Sequence, residues 1–293
     1  MTAVSIVTPS YNSGAYLEEC IQSVLAQDYP DIEYIVIDGG STDETPAILS
    51  RYADRIDRIV SRPDSGQAQA INDGFKLAGG EIFAYLNADD TYLPGAISTA
   101  VAAFEKHPDS AVVYGNGYHV LGDGSTVAPY PTMRFDPQGF RHRCYICQPA
   151  AFIRSDAFRE IGGMNPDLHY SLDYDLWIRL AQMYRFTYIE PFLATSRMHA
   201  ANKSFANRKL IYREVFETLK RHYSYIPYEW VYGYASYLCD GNDQLEGPSK
   251  PSFLKLLLSL GLGAYYNRRR MPDYFVDWFA HRAIGATFLR SRA

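Results

Sequence analysis

The chain has 293 residues, 47% apolar and 21% charged, enough to bury a full core and too apolar for a disordered protein. A formal charge of −5 carries no whole-chain signal for nucleic acid, and no apolar run reaches the roughly 20 residues that span a bilayer. Cys20, Cys144, Cys147 and Cys239 are too few for a disulfide framework. The C-x-x-C at 144–147 lacks a second pair or a thioredoxin-like setting, so free thiols in a reducing cytoplasm are expected. The N-terminus enters a strand pattern at once, and no leader is expected.

Val4 to Pro9 reads as a first strand, and Ser10-Tyr-Asn-Ser-Gly14 as a turn. Leu17, Cys20, Ile21, Val24 and Leu25 then recur at helical spacing. Ile32 to Ile37 is almost continuously apolar, as buried parallel strands are. Asp38-Gly-Gly-Ser-Thr-Asp43 leads from it into a helix over 45–52, with Asp43 a candidate cap. A strand over 56–61, a helix over 67–77 and a strand from Ile82 follow. This alternation predicts an α/β fold with a doubly wound, mainly parallel, Rossmann-like sheet.

The fourth strand runs straight into Asn87-Ala88-Asp89-Asp90. Carboxylates there stand at the C-terminal edge of the sheet, where open α/β sheets bind ligands. Adjacent Asp residues repel unless a cation, donors or solvent compensate them. Alone, the stretch reads equally well as a solvated acidic turn. The spacing next predicts a helix over 94–107, strands at 111–116 and 118–121, a hairpin at 122–125 and a strand at 148–153. A short helix stops at Gly162-Gly163; a helix over 172–184 and strands at 186–189 and 193–198 follow. Beyond Phe205 the pattern is helical, with a break at 240–251, which divides the chain into a domain at 1–204 and a helical, aromatic-rich, basic extension at 205–293.

In order, Val4-Ser-Ile-Val-Thr-Pro-Ser-Tyr-Asn12, Val36-Ile-Asp-Gly-Gly-Ser-Thr-Asp43 and Leu86-Asn-Ala-Asp-Asp90 resemble the successive signatures of family 2 glycosyltransferases with the GT-A fold. Gln148-Pro149, Gly162-Gly163, Asp173-Tyr-Asp-Leu-Trp-Ile-Arg179 and His199-Ala-Ala-Asn-Lys-Ser204 extend the resemblance over roughly residues 3–204. It implies an inverting transfer from a nucleotide sugar, with UDP the leading nucleotide and dTDP its rival, to a hydroxyl of a glycan or lipid-linked acceptor, assisted by Mg²⁺ or Mn²⁺. No Gly-x-Gly-x-x-Gly or Walker motif points to another nucleotide chemistry.

The resemblance implies that Thr8, Pro9 and Tyr11 line the nucleotide base and that Asp38 accepts a base N–H. Asp64 and Gly66 lie around the donor, before a helix N-terminus that favours anions, with Gln67, Gln69 and Asn72 as further donors. Asn87 and Ala88 border the donor, Asp89 is the metal carboxylate, and His199 is a basic or metal-associated residue near the diphosphate. Asn87 departs from the usual Asp-x-Asp pattern, weakening the hold on a cation, and Asp90 partly compensates. Lys203 would steady phosphate charge. Asp173 matches the catalytic base, with Asp175 a solvated neighbour; Leu172 before it points to one base instead of a coupled pair. Bland readings stand beside these: Asp173 also suits a helix N-terminus, and a lone His is often structural.

Two other functions compete: a nucleotide-sugar-binding protein without turnover, suggested by Asn87, and a nucleotidyltransferase, which would release pyrophosphate. Residues 250–293 carry eight Lys or Arg against two Asp, a net +6, leaving −11 on residues 1–249. Within them Phe253 to Tyr266 is apolar nearly all round, and Arg268, Arg269 and Arg270 follow. That composition suits a membrane surface or a helix buried against the catalytic domain or a second subunit. Peripheral attachment to the cytoplasmic face is the expectation, and a homo-oligomer is left open.

Overall fold

The computed structural model describes residues 2–199, 207–241 and 252–290, with side chains described to residue 280. It divides into two compact units, Met1–Phe135 with Tyr145–Ala206, and Asp136–Cys144 with Asn207–Ala293. The excursion Asp136–Cys144, which the linear reading keeps in the first domain, thus belongs with the C-terminal helices.

The first unit is built on a nine-stranded sheet. Its first half is parallel: β1 (Val4–Ser10), β2 (Ile32–Asp38), β3 (Arg58–Ser61) and β4 (Ile82–Tyr85), in spatial order β3-β2-β1-β4. The crossovers are α1 (Leu17–Leu25), α2 (Thr45–Arg51) and α3 (Gln67–Leu77). Every residue of β1 is buried, because helices cover both its faces. Val4 and Ile6 pack with Leu17, Cys20, Ile21 and Val24 of α1. On the other face α3 comes so close that a Cβ on Gly74 would stand 2.5 Å from a Val7 methyl.

The second half mixes directions. It contains β5 (Thr91–Tyr92), β6 (Ser110–Leu121), β7 (Thr126–Pro129), β8 (Ala151–Arg154) and β9 (Arg185–Met198), with the order continuing β4-β8-β6-β9-β5 and β7 beside β6. β6 and β9 run parallel to each other, while β8 is antiparallel to β4 and β6. Helices α4 (Ala96–Lys106), α6 (Ser155–Glu160) and α7 (Leu172–Ala181) belong to this half. The short α5 (Pro137–Phe140) falls in the excursion.

Two expected breaks are not breaks. β6 runs through Gly115 and Gly117, and β9 through Pro191, each as one strand. Register shifts between Tyr114 and Gly117 absorb the proline, and a Cβ on Gly115 would lie 2.7 Å from the Pro191 carbonyl. A Cβ on Gly117 would meet the Cys147 sulfur at 2.4 Å, so this glycine serves close packing inside a strand. Gln148–Ala150 is a 3-10 turn and not the start of a strand. Arg58, and not Ile56, opens β3.

The second unit contains α8 (Arg208–Tyr223), α9 (Tyr228–Asp240), α10 (Phe253–Tyr266) and α11 (Met271–Arg290). The excursion is fastened to α9 by a Trp230 Nε1–H bond to the Arg141 carbonyl (3.1 Å) and by His142 Nδ1 against Glu229 Oε2 (2.7 Å). Helix α10 is turned inside out. It buries Lys255, Ser259 and Gly263, four residues apart, and exposes Phe253, Leu254, Leu257 and Tyr265. Lys255 is neutralised by Asp240 at 2.6 Å, Trp278 donates to the Ser259 hydroxyl (3.2 Å), and Tyr274 donates to the Ser259 carbonyl (2.9 Å). Among the described residues no helix is long and apolar enough to cross a membrane.

Candidate active site

The C-terminal ends of β1, β2 and β3 open into loops that bind one another. Gly39 N–H donates to the Ser10 carbonyl and Arg62 N–H to the Asp38 carbonyl, both at 2.9 Å. Asn12, at φ 50°, donates its N–H to the Ser41 hydroxyl (2.7 Å) and accepts from Thr42 N–H (2.9 Å). A Cβ on Gly39 would stand 3.1 Å from the Asp64 carboxylate, and Gly40, at φ +81°, faces Pro63. These glycines let two loops touch.

At this edge the Tyr11 ring is 65% exposed. Asp38 is fully buried and accepts from the Ser41 N–H and from the hydroxyls of Ser41 and Ser61. Asp64 accepts the Gly66 N–H at 2.8 Å, in the turn that starts α3. Thr8 departs from the expectation. Its hydroxyl pairs with the Tyr34 hydroxyl at 3.1 Å inside the core, and Pro9 is buried too, because β1 is covered on both faces. The side chain of Thr8 therefore does not line this edge.

Beyond β4 the loop is held by a neutral amide. Asn87 Oδ1 accepts from Gln67 Nε2 (2.7 Å), and Asn87 Nδ2 donates to Asp90 Oδ2 (3.2 Å) and Gln148 Oε1 (3.1 Å). Gln148 in turn donates to the Tyr85 carbonyl at 2.8 Å. An aspartate at 87 could make neither donation and would set a third carboxylate beside Asp89 and Asp90. Of the three polar residues proposed on α3, Gln67 reaches this loop. Gln69 accepts from Ser65 N–H (2.9 Å), and Asn72 exchanges hydrogen bonds with both backbone groups of Met164.

Asp89 and Asp90 divide sharply. Asp90 is buried and accepts from Arg197 N–H (2.9 Å) and from Asn87; burial, followed by the nearby Asp89 charge, pushes its carboxyl well above the usual range. Both of its oxygens are thus engaged by neighbours within the protein, Oδ1 by Arg197 N–H and Oδ2 by Asn87. The Asp89 carboxylate is a quarter exposed, with Oδ2 3.0 Å from His199 Nε2. Oxygen and nitrogen ligands about 2.1 Å from an octahedral ion stand about 3.0 Å apart at neighbouring corners. The separation is that of a hydrogen bond, and it is also compatible with two ligands of one divalent ion, an ion whose arrival would displace the shared proton; Ala88 is buried behind the pair. Lys203 lies outside the described residues.

Asp173 sits in the first turn of α7, where its carboxylate accepts the Tyr174 N–H at 2.8 Å. Asp175 is not a solvated neighbour. It is buried and paired with Arg179 at 2.7 Å, while Arg179 Nη1 donates to the Ile161 carbonyl. The pair fastens α7 to the Gly162-Gly163 turn, which Asn72 holds from the other side.

The sequence reading passes over Arg197, Tyr16 and Glu19. Arg197 is buried, donates to the Asp89 carbonyl at 2.8 Å and meets Glu19 at 2.6 Å; the Tyr16 ring lies against both Arg197 and His199. The available signal was the two-residue spacing of Arg197 and His199 at a strand end, which places both on one face.

Among the described residues a second group of metal-type donors, His142, Glu229 and Asp277 in the helical unit, lies within 4.8 Å. Arg141 Nε donates to His142 Nε2 at 3.0 Å. A guanidinium can only donate, so the neutral imidazole carries its proton on Nδ1 and gives it to Glu229. No Nδ1 lone pair is left for an ion in that arrangement, and this cluster is a clasp.

The sheet, with Asp89 beyond β4 and His199 just past β9, has the GT-A fold of glycosyltransferases. The fold is shared with a crystal structure of Staphylococcus aureus TarS in complex with UDP (TM-score 0.59, 18% identity, covering 96% of this chain and 91% of that one). It is also shared with the mannosyltransferase PcManGT of Pyrobaculum calidifontis in complex with GDP-Man and Mn²⁺ (TM-score 0.58, 19% identity, covering 98% and 80%). The glycosyl transferase family 2 model matches residues 5–162, and the chain belongs to that family of enzymes. It is 32% identical over 222 residues to the uncharacterized glycosyltransferase RC0461 of Rickettsia conorii, covering 69% of this chain and 35% of that relative's length.

Proposed function

We propose that this chain transfers a sugar from a nucleoside diphosphate sugar to an acceptor hydroxyl, with inversion at the anomeric carbon. The observation that carries the reading is the Asp89–His199 pair, 3.0 Å apart at the sheet edge. The exposed Tyr11 ring offers a stacking surface for the base. Rotation of the Ser41 or Ser61 hydroxyl frees an Asp38 oxygen to accept a base N–H. Gln67, Asn87 and the backbone at Asp64 and Gly66 border the donor. UDP is the favoured nucleotide, supported by the UDP complex of TarS; the GDP-Man complex of PcManGT makes guanosine the rival to test.

Asp89 and His199 would hold a Mg²⁺ or Mn²⁺ ion, which when bound neutralises charge on the departing diphosphate. Asp173 takes the proton from the acceptor hydroxyl onto its carboxylate as that oxygen forms the new glycosidic bond and the bond to the diphosphate breaks. The acceptor class is a glycan or a lipid-linked saccharide. The test is a screen of sugar nucleotides with Mn²⁺, Mg²⁺ or chelator, with and without acceptors, following nucleoside diphosphate release. Metal-dependent release stimulated by an acceptor is expected. Tight binding without release would favour a donor-binding protein, and pyrophosphate release would favour a nucleotidyltransferase.

The inside-out α10 favours attachment at a membrane surface. Phe253, Leu254 and Leu257 are more than half exposed, and the Arg268 guanidinium lies over the exposed Tyr265 ring at 5.2 Å. Apolar groups beside the exposed Arg268, Arg269 and Arg270 suit the boundary of an anionic bilayer. Co-sedimentation with phosphatidylglycerol vesicles at low salt, lost on Arg268→Glu with Arg269→Glu, is expected. Indifference of the native protein to such vesicles would remove this attachment.

A further inference from the structure

We infer that Arg197 is a positioning residue that fixes the geometry of the Asp89–His199 metal pair; this rests on the site proposed above. One residue of β9 grips two successive aspartates. Its N–H donates to Asp90 Oδ1 (2.9 Å) and its Nε–H donates to the Asp89 carbonyl (2.8 Å). Two residues on, His199 stands 3.0 Å from Asp89 Oδ2. The turn is also closed by Asp90 N–H to the Asn87 carbonyl at 3.0 Å. These bonds hold the backbone of Asp89 and the carboxylate of Asp90, and so fix the point from which the Asp89 side chain leaves the loop.

The guanidinium reaches further than the aspartates. Nη1 donates to the carbonyls of Leu121 (3.3 Å) and Gly122 (3.1 Å) at the end of β6, and Nη2 meets Glu19 of α1 at 2.6 Å. Its face lies 5.0 Å from the Tyr16 ring, which packs against the His199 imidazole with centroids 4.7 Å apart. Arg197 thus acts on both candidate ligands, on Asp89 through the backbone and on His199 through Tyr16. Glu19 neutralises the buried cation, so a positive charge is not left facing the ion that Asp89 must attract. A lysine cannot serve this many acceptors in a plane.

Outer partners that orient metal ligands typically affect metal affinity by about 10–100-fold when removed. The test is Mn²⁺ affinity in the presence of UDP, read by electron paramagnetic resonance of free Mn²⁺, together with UDP affinity in chelator and the melting temperature. Arg197→Lys is expected to weaken Mn²⁺ about tenfold or more while UDP affinity in chelator stays within about twofold. Glu19→Gln, at a residue whose side chain is 58% exposed, is expected to keep the fold and to weaken Mn²⁺ a few fold through the uncompensated cation. Asp89→Ala is the control. If Asp89→Ala leaves Mn²⁺ binding intact, the proposed site is wrong. If Asp89→Ala abolishes it while folded Arg197→Lys binds Mn²⁺ as the native protein does, Arg197 is only structural. Should Arg197→Lys fail to fold, native Mn²⁺ affinity in Glu19→Gln overturns the inference by itself.

Discussion

The two units handle buried charge in opposite ways. In the sheet unit Asp38, Asp90, Asp175 and Arg197 are buried at strand ends, a loop and a helix end, each with donors or acceptors in hand, while the interior is mainly aliphatic and aromatic. In the helical unit α10 buries Lys255 and Ser259 while large apolar side chains face outward. Burying polar groups is tolerated where partners satisfy them. The first unit spends those groups on the geometry of a sheet edge. The second uses them inside a helical packing, and among the described residues Phe253, Leu254 and Leu257 of α10 are exposed.

The largest effects should separate chemistry from binding in the sheet unit. Asp173→Asn is expected to lower turnover by about 10²–10⁴-fold with donor affinity within about threefold, because its role begins at proton transfer. Asp89→Ala should lose both metal dependence and donor affinity. Calorimetric titration of UDP with Mn²⁺, beside steady-state release assays, distinguishes them; equal loss of binding in both would cancel the division of roles.

Next come two glycines, one in each unit. A Cβ on Gly74 would approach Val7 at 2.5 Å and one on Gly263 would meet the Tyr274 ring at 1.9 Å. Overpacking of this kind costs about 1–3 kcal/mol. Gly74→Ala should lower the melting temperature and weaken UDP binding through α3, whereas Gly263→Ala should destabilise the helices and leave UDP binding unchanged. Loss of UDP binding in Gly263→Ala would show that the units are not separable in function.

A smaller effect is expected at Asp73. The Lys76 hydrogen bond, with Arg62 also contributing, holds its carboxyl below the usual range. A depressed carboxyl contributes stability above its unfolded pKa, lost as pH falls through the folded value. Asp73→Asn should therefore cost up to about 1 kcal/mol at pH 7 in urea melts, with the difference shrinking below about pH 4. The smallest stability effect belongs to Leu254→Glu with Leu257→Glu, within about 0.5 kcal/mol because both residues face outward. The same pair should weaken vesicle binding. A large loss of stability would show that this face packs against protein.

The sequence by itself determined the parallel half of the sheet. The largely apolar runs at β2 and β4, the strand-like start at Val4 and the 3.6-residue spacing of α1 and α3 are local properties, and they leave one economical topology. Asp89 was legible as a carboxylate where a strand ends, whereas His199 was singled out only by the family resemblance. Only the tertiary structure decided which polar side chains turn inward. Thr8 and Asp90 sit beside residues at the sheet edge, yet Thr8 meets Tyr34, 26 residues on, and Asp90 meets Arg197, 107 residues on. Arg197, Glu19 and the Asp136–Cys144 excursion likewise depend on partners distant in the chain. The inward face of α10 shows the limit of pattern reading. Hydropathy puts leucines in the core, but Gly263 and Ser259 are the residues small enough to let Tyr274 and Trp278 approach the helix closely. Steric fit between helices decided which side of α10 is buried.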